Sequence, residues 1–249
     1  MASRTRPVPQ PAPAIPARVR TACDNAQMID LYCERISPGL LGEPLNAVTN
    51  LAFLMAAWLM WRRARHDEEA PTEIMLLAGL MLAIGIGSAL FHTFATRWAM
   101  LLDLAPIVIF QGVFLWSYTG RAIGLSRRRR VIIIVTLLAA ITASLPFTAH
   151  LNGSLLYLPA LLSLIVLAAW HFRNMAQART SLVWATALLA ASLVLRTVDQ
   201  WLCPVWPAGT HFGWHLLNAV VLYQATSGLL AATRQSARTG GAPVAHAAR

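Results

Sequence analysis

Seven continuous apolar runs, each about as long as a bilayer is thick, limit what this chain can fold into. A membrane-spanning helix needs about 20 predominantly apolar residues. The chain has 249 residues, of which 57% are hydrophobic and 12% are charged, too little charge for a soluble protein of this length. Because the runs are continuous and do not alternate, they favour helices over the strands of a barrel. The sequence predicts an all-α, multi-pass bundle of seven helices at 44–61, 72–92, 98–118, 131–149, 154–172, 181–200 and 211–232.

The basic residues orient this predicted bundle. All twenty are arginine, and most of them follow the first, third, fifth and seventh runs. The intervening loops on the other side carry only Arg97. Because basic residues favour cytoplasmic loops, we expect the N-terminus outside and the C-terminus in the cytoplasm. The arginines on the predicted cytoplasmic side are Arg62, Arg63, Arg65, Arg121, Arg127, Arg128, Arg129, Arg130, Arg173, Arg179, Arg234 and Arg238.

Charge and composition also divide the chain. A net charge of +10 is compatible with a nucleic-acid partner. The arginines lie at helix ends, however, where attraction to anionic lipid headgroups explains them, so no nucleic-acid partner is predicted. Residues 1–28 are rich in arginine and proline and lack the apolar core of a signal peptide. We therefore predict a disordered tail at 1–28, one seven-helix membrane domain at 29–233 and a disordered cytoplasmic tail at 234–249.

Polar side chains are concentrated at one depth of the predicted bundle. The stretch GIGSALFHTFATRWAMLLDLAP places Ser88 and His92 one turn apart near the outer end of the second helix. The third helix returns after a short turn and brings Asp103 to the same depth. His211 and His215 are four residues apart at the outer start of the seventh helix, so both rings leave one face.

This cluster admits several interpretations. An HxxxH pair arises often by chance, and single histidines near helix ends commonly serve as hydrogen-bonded interfacial residues. Asp103 is harder to explain structurally, because an ionisable group inside a spanning helix costs about 2.5–3.5 kcal/mol and usually marks function. Three imidazoles are also a ligand set of catalytic zinc, while Ser88 paired with a histidine leaves a rhomboid-like serine protease as a rival. The other histidines are predicted to be solvated or interfacial: His66, His150, His171 and His246.

Taken together, the motifs resemble those of a known family. Ser88-x-x-x-His92, Asp103 eleven residues later and His211-x-x-x-His215 look like the alkaline ceramidases, within a superfamily of seven-helix zinc proteins that includes the progestin and adiponectin receptors. The segment YCERISPGLLGEPLNAVTN is similar to that of the ceramidase branch. The resemblance covers about residues 30 to 230. The all-arginine basic set and the compact loops suggest a bacterial member, in the inner membrane, with its site near the periplasmic side.

The resemblance implies a zinc-dependent membrane amidase. It would hydrolyse the N-acyl bond of ceramide or a similar N-acyl lipid to a fatty acid and a sphingoid-type amine. Zinc would be held by His92, His211 and His215, with Ser88 and Asp103 as catalytic residues and Asp103 as base and acid. Two other functions are left open: a lipid-binding receptor or sensor with a non-catalytic zinc, and a related hydrolase of lipid esters.

The segment before the first helix also resembles a calcium-binding arrangement of this family. Glu34 and Glu43 match its two glutamates, but other positions depart from the pattern and the spacing between the glutamates is shorter. Asp30 is the candidate that would compensate for the missing oxygen ligands. The alternative is that these acids cap the first helix or pair with Arg35.

Two pairs of residues are expected to bond on the outer side. Cys33 and Cys203 both lie there, where disulfides persist, and the matching cysteines are bridged in the family. The resemblance therefore implies a disulfide between them, with Cys23 left unpaired. Arg196 and Asp199 are three residues apart, which favours a structural ion pair over contact with a substrate headgroup.

Overall fold

The computed structural model describes residues 28–37, 39 and 41–238 of the chain. Within these ranges there is no β-strand, and seven helical spans are long and apolar enough to cross a membrane. The predicted all-α, multi-pass membrane fold is therefore confirmed. Residues 1–27 of the tail predicted at 1–28 and residues 239–249 of the tail predicted at 234–249, together with Cys23 and His246, lie outside the described residues.

In the described residues, seven helices, α1 to α7, follow one another, and the longest connection lies between α4 and α5. Helix α1 has two segments that meet at Asn50, and 3₁₀ turns at Leu145–Phe147 and His150–Tyr157 join α4 to α5. Successive helices run in opposite directions, so the bundle has a histidine end, where α2 ends and α7 begins, and an arginine end, where α1 ends and α4 begins. The helices are α1 Pro44–Thr49 and Leu51–Arg65, α2 Thr72–Phe94, α3 Arg97–Arg121, α4 Arg127–Ser144, α5 Leu158–Asn174, α6 Ser181–Leu202 and α7 His211–Arg238.

Helix α7 is longer than predicted. It continues to Arg238, through residues that the sequence analysis assigned to the C-terminal tail. The extension is held at the arginine end, where the guanidinium of Arg234 bonds to the carboxylate of Asp67 and Gln235 donates to the carbonyl of Asn174 at 3.1 Å. Hydropathy detects the span but not these polar contacts beyond it.

Helices α2 and α3 approach each other closely at a glycine. A Cβ atom added to Gly87 would overlap the backbone carbonyl of Leu102 and lie 3.1 Å from the backbone nitrogen of Asp103. A larger residue therefore cannot fit without separating the two helices. This close approach sets Ser88, the next residue of α2, beside Asp103 of α3.

One histidine is placed differently from the prediction. His66 and His150 are exposed, as expected, but His171 is fully buried at the arginine end. The Nε2 atom of His171 donates to the carbonyl of Ala178 at 3.0 Å, which leaves Nδ1 to accept from the hydroxyl of Tyr118 at 2.7 Å. The prediction for His171 was wrong because these partners come from α3 and from the α5–α6 connection, and they satisfy both ring nitrogens inside the bundle.

The glycine contact generates a prediction for stability. We expect Gly87→Ala to destabilise the protein by about 1–3 kcal/mol, because the added methyl group must push α2 away from α3. The measurement is thermal unfolding of the purified protein in detergent. Gly79→Ala is the matched control on the same helix, since no heavy atom lies within 4 Å of its added Cβ, and alanine there favours the helix. Equal unfolding midpoints for the two variants would contradict the packing described.

Candidate metal centre

Three buried imidazoles meet at the histidine end of the bundle. His92 lies in the last turn of α2, while His211 and His215 lie one turn apart at the start of α7. Each is at most 2% exposed. Their candidate ligand atoms all lie within 4.8 Å of one another. Among the described residues, these three side chains are the group of His, Cys, Asp or Glu that could hold a metal ion.

The geometry of these rings fits a transition-metal ion. The Nε2 atoms of His92 and His215 are 3.1 Å apart. Two nitrogens bound tetrahedrally to zinc at about 2.0–2.1 Å are separated by about 3.3 Å. The Nδ1 atom of His211 is buried and has no hydrogen-bond partner. A set of three neutral nitrogen donors suits zinc and its neighbours better than calcium or magnesium.

Two of the three imidazoles are oriented by oxygen atoms on their far side. His92 Nδ1 contacts a carboxylate oxygen of Glu43, and His215 Nδ1 lies 3.0 Å from the hydroxyl of Thr49. Because that hydroxyl donates to the carbonyl of Leu45 at 2.8 Å, it accepts from His215. Nδ1 of both rings therefore carries the proton, and both Nε2 atoms are left as lone-pair donors facing one position. Metal-binding histidines commonly have such partners.

Glu43 is in turn held by donors from its own segment. The guanidinium of Arg35 forms an ion pair with Glu43, and neither side chain is exposed. Arg35 also donates to the backbone carbonyl of His92 at 3.1 Å, and Asn46 donates to Glu43 at 2.9 Å. Arg35, Glu43 and His92 thus form a continuous chain that ends at the candidate metal position.

The acids expected to bind calcium have other partners. Glu34 accepts backbone N–H groups of Leu45 and Asn46 at 2.6 and 2.7 Å, which caps the start of α1. Burial raises the pKa of Glu34, and these two hydrogen bonds act in the opposite direction. Glu43 is paired as described, and Asp30 is exposed. These contacts match the alternative of capping and pairing with Arg35, and a calcium site stays a prediction.

The third imidazole is held by a ring from the segment before α1. Tyr32 stacks on His211 with ring centroids 3.6 Å apart and an interplanar angle of 13°. The hydroxyl of Tyr32 accepts a hydrogen bond from Arg196 Nη1 at 2.8 Å. Burial raises the pKa of Tyr32 well above its usual range, so the phenol stays neutral. The segment that carries Tyr32 is fastened to α6 by the predicted disulfide between Cys33 and Cys203, which is present.

The predicted ion pair between Arg196 and Asp199 was wrong. The carboxylate of Asp199 accepts backbone N–H groups of Cys33, Thr210 and His211 at 3.0, 2.6 and 2.9 Å. Two of these groups are free donors at the start of α7, where a carboxylate is stabilised by the helix dipole. Asp199 therefore caps the helix that presents the histidine pair, and Arg196 bonds to the tyrosine described above.

Ser88 and Asp103 lie beside the imidazoles, as the sequence analysis expected. The hydroxyl of Ser88 lies 3.5 Å from His215 Nε2, and it hydrogen-bonds to the partly buried carboxylate of Asp103. A carboxylate and a hydroxyl are thus available on the side of the site that α2 and α3 form.

An apolar cavity begins next to this site. Phe53 packs edge-on against His215 with ring centroids 6.3 Å apart, and Trp214 lies between the two histidines of α7 in sequence. Both line an apolar space inside the bundle. Polar side chains in its wall are few and include Gln111 and Asn218.

Comparison with known families agrees with this geometry. A family model described as Ceramidase matches residues 32–240, most of the 249-residue chain. The chain belongs to the ceramidase family. No match was found among curated proteins. Membership in the ceramidase family implies a hydrolase and a lipid substrate.

The sequence analysis missed Tyr32 and Thr49 of this ceramidase-family site, and it named Arg35 only as a partner of the acidic residues. Tyr32, Arg35 and Thr49 contact the imidazoles or their partners, and none of them belongs to the histidine motifs. The available signal was their position: all three lie in or next to YCERISPGLLGEPLNAVTN, immediately before or within the first turns of α1. This polar segment is adjacent to the histidine end by topology.

The outer partners generate a prediction about metal affinity. We expect Glu43→Gln to weaken metal binding by about 10- to 100-fold, because His92 loses the anionic acceptor that orients its ring. Thr49→Val, which has nearly the same shape, should weaken binding through His215 in the same way. Affinity is measured by competition between purified protein and a chromophoric zinc chelator. Glu73→Gln, at the ion pair with Arg121 of the arginine end, is the control, and equal affinities for all these proteins would contradict the assignment.

Proposed function

We propose that this protein is a zinc-dependent membrane amidase that hydrolyses the N-acyl bond of ceramide or a similar N-acyl lipid. The observation that carries the proposal is the convergence of three buried imidazoles beside a carboxylate and a hydroxyl, at the mouth of an apolar cavity. Structural zinc sites commonly have four protein ligands, whereas three leave a position open for catalysis. The products are a fatty acid and a sphingoid-type amine.

The side chains of the site have separate tasks in this reaction. Zinc held by the three imidazoles would supply Lewis acidity toward the carbonyl and would lower the pKa of water to about 7. Asp103 takes a proton from the attacking water and delivers it to the amide nitrogen as the C–N bond breaks. Ser88 donates to Asp103 while that group is a carboxylate, and once Asp103 has taken the proton, the Ser88 hydroxyl donates to the carbonyl oxygen as negative charge develops there. The water oxygen remains on the acyl carbon, and the amine leaves with the transferred proton.

The cavity supplies the lipid-binding part of the proposal. Its wall is formed mainly by aliphatic and aromatic side chains, so a fatty-acyl chain can be buried there with its carbonyl next to His215. Phe53 and Trp214 separate that chain from the polar site. Burial of the chain excludes bulk water from the acyl half of the substrate.

The proposal includes an orientation in the membrane. The basic residues are concentrated at the arginine end, whereas the disulfide lies at the histidine end. The first observation favours a cytoplasmic arginine end and the second favours an oxidising environment for the histidine end. In a bacterial inner membrane, the site would face the periplasm.

The proposal predicts metal-dependent turnover of lipid amides. Purified protein in detergent should release fatty acid from ceramide, lose that activity with a zinc chelator and regain it with added zinc. His215→Ala should abolish turnover, and Asp103→Asn should lower kcat by about 10²- to 10⁴-fold, because the proton carrier is lost. His66→Ala, at an exposed residue of the arginine end, is the matched control. Product is measured by mass spectrometry of the released fatty acid.

Other outcomes of that experiment point elsewhere. Full activity in metal-free protein or in His215→Ala would contradict the mechanism. Cleavage of a matched ester with no cleavage of the amide would favour a lipid ester hydrolase. Lipid binding with bound zinc but no turnover of any lipid would favour a receptor or sensor.

A further inference from the structure

Arg196 is a buried cation at the histidine end of α6. It is 8% exposed, and no ion pair within the described residues includes it. Its Nη1 atom donates to Tyr32, but its Nε atom is buried and has no hydrogen-bond partner. A buried charge without an oppositely charged partner is costly, and within a membrane span it usually marks a functional contact.

Aromatic rings surround this guanidinium on three sides. Its Cζ atom lies 5.4, 5.3 and 5.4 Å from the ring centroids of Tyr32, Tyr157 and Trp214. These rings attract a cation without neutralising it. We call Arg196 and these three aromatic residues the arginine box.

The turn before α5 also packs against Arg196. A Cβ atom at Gly153 would lie 3.1 Å from Arg196 Nη2, and the positive φ of +76° at Gly153 also favours glycine. The neighbouring Asn152 donates to the backbone carbonyl of Arg196 at 2.9 Å. The guanidinium is thus held in place by shape, with unused donor capacity.

The arginine box borders both the metal centre and the cavity. Tyr32 stacks on His211, while Tyr157 and Trp214 line the apolar cavity. Asp103 interacts electrostatically with Arg196 across this region, although its hydrogen bond goes to Ser88. In the proposed binding mode, the carbonyl lies at the imidazoles and the amine half lies on the side of Tyr32, which stacks on His211 and accepts a hydrogen bond from Arg196.

We propose that Arg196 binds an oxygen atom on the amine half of the substrate, and thereby selects lipid amides whose headgroup carries a hydroxyl or carboxylate close to the amide nitrogen. This inference rests on the proposed amidase function. A guanidinium has several donors in a fixed plane, and its bonds to oxygen are charge-assisted. A hydroxyl of a sphingoid base and a carboxylate of an N-acyl amino acid both supply the acceptor that Arg196 lacks.

Three amides with the same acyl chain test this selection. They are N-oleoyl sphingosine, which has hydroxyls, N-oleoyl glycine, which has a carboxylate, and N-oleoyl hexadecylamine, which has no headgroup oxygen. The wild-type protein should hydrolyse at least one of the two oxygen-bearing amides with a kcat/KM about 10-fold or more above that of the alkylamide. The preferred one identifies the source of the oxygen. Equal kcat/KM values for all three amides would overturn the inference and leave the amidase function intact.

Variants then assign the preference to the guanidinium. Arg196→Met should bring the ratio of kcat/KM values close to one, and Arg196→Lys should keep part of it because it retains a cationic donor. Arg121→Met, at the arginine end, is the control that should keep the full ratio. A full ratio in Arg196→Met would overturn the inference. Folding of each variant is checked by size-exclusion chromatography and zinc content.

A binding measurement separates this inference from the proposed function. The same three amides compete with a fluorescent fatty-acyl probe for the protein in detergent. If no amide is hydrolysed, the amidase proposal fails, but stronger competition by the oxygen-bearing amides, lost in Arg196→Met, would still support the role of Arg196. Equal competition by all three would overturn it.

Discussion

The ion pair between Arg35 and Glu43 is the interaction on which the histidine end of the bundle depends. Inside a bilayer, polar groups must be satisfied by the protein itself. Glu43 accepts from His92 and is neutralised by Arg35, which also bonds to the backbone carbonyl of His92. Without Arg35, the buried carboxylate would lack a counter-charge, a loss that typically costs about 3–5 kcal/mol. Without Glu43, the imidazole would lose the partner that fixes its tautomer.

The same principle explains why the segment before α1 is structured without being a helix. Tyr32 stacks on His211, Glu34 caps α1, and Cys33 is bonded to Cys203. Asp199 joins this segment to the start of α7 through backbone N–H groups. The segment therefore connects α1, α2, α6 and α7 at the level of the imidazoles, and the positions of these three rings depend on residues far from them in sequence.

The bilayer made much of this fold predictable from sequence. Seven long apolar runs admit few arrangements, and depth alone brought His92 and Asp103 to the level of the His211 and His215 pair. Boundaries were less accurate where polar residues continue a helix beyond the apolar run, as α7 does to Arg238. The limit there is physical, because hydropathy reports the solvent around a helix and not its end contacts.

Partner choice among buried polar residues was not predictable in the same way. Arg196 and Asp199 have the spacing of an ion pair, but each bonds to another group. Asp199 accepts from free N–H groups at the start of α7, and Arg196 donates to the hydroxyl of Tyr32. His171 has a sequence context typical of a helix end at an interface, yet its partner Tyr118 is 53 residues away. These pairings depend on which helices become neighbours, and local sequence does not encode that.

The central claim is that three imidazoles from α2 and α7 hold a catalytic zinc ion. The most direct measurement is the metal content of the purified protein combined with its zinc K-edge X-ray absorption spectrum. The account predicts one zinc per chain, with three imidazole nitrogens at about 2.0–2.1 Å and a further oxygen ligand. Protein that binds no zinc at these residues, or zinc bound through sulfur, would contradict it.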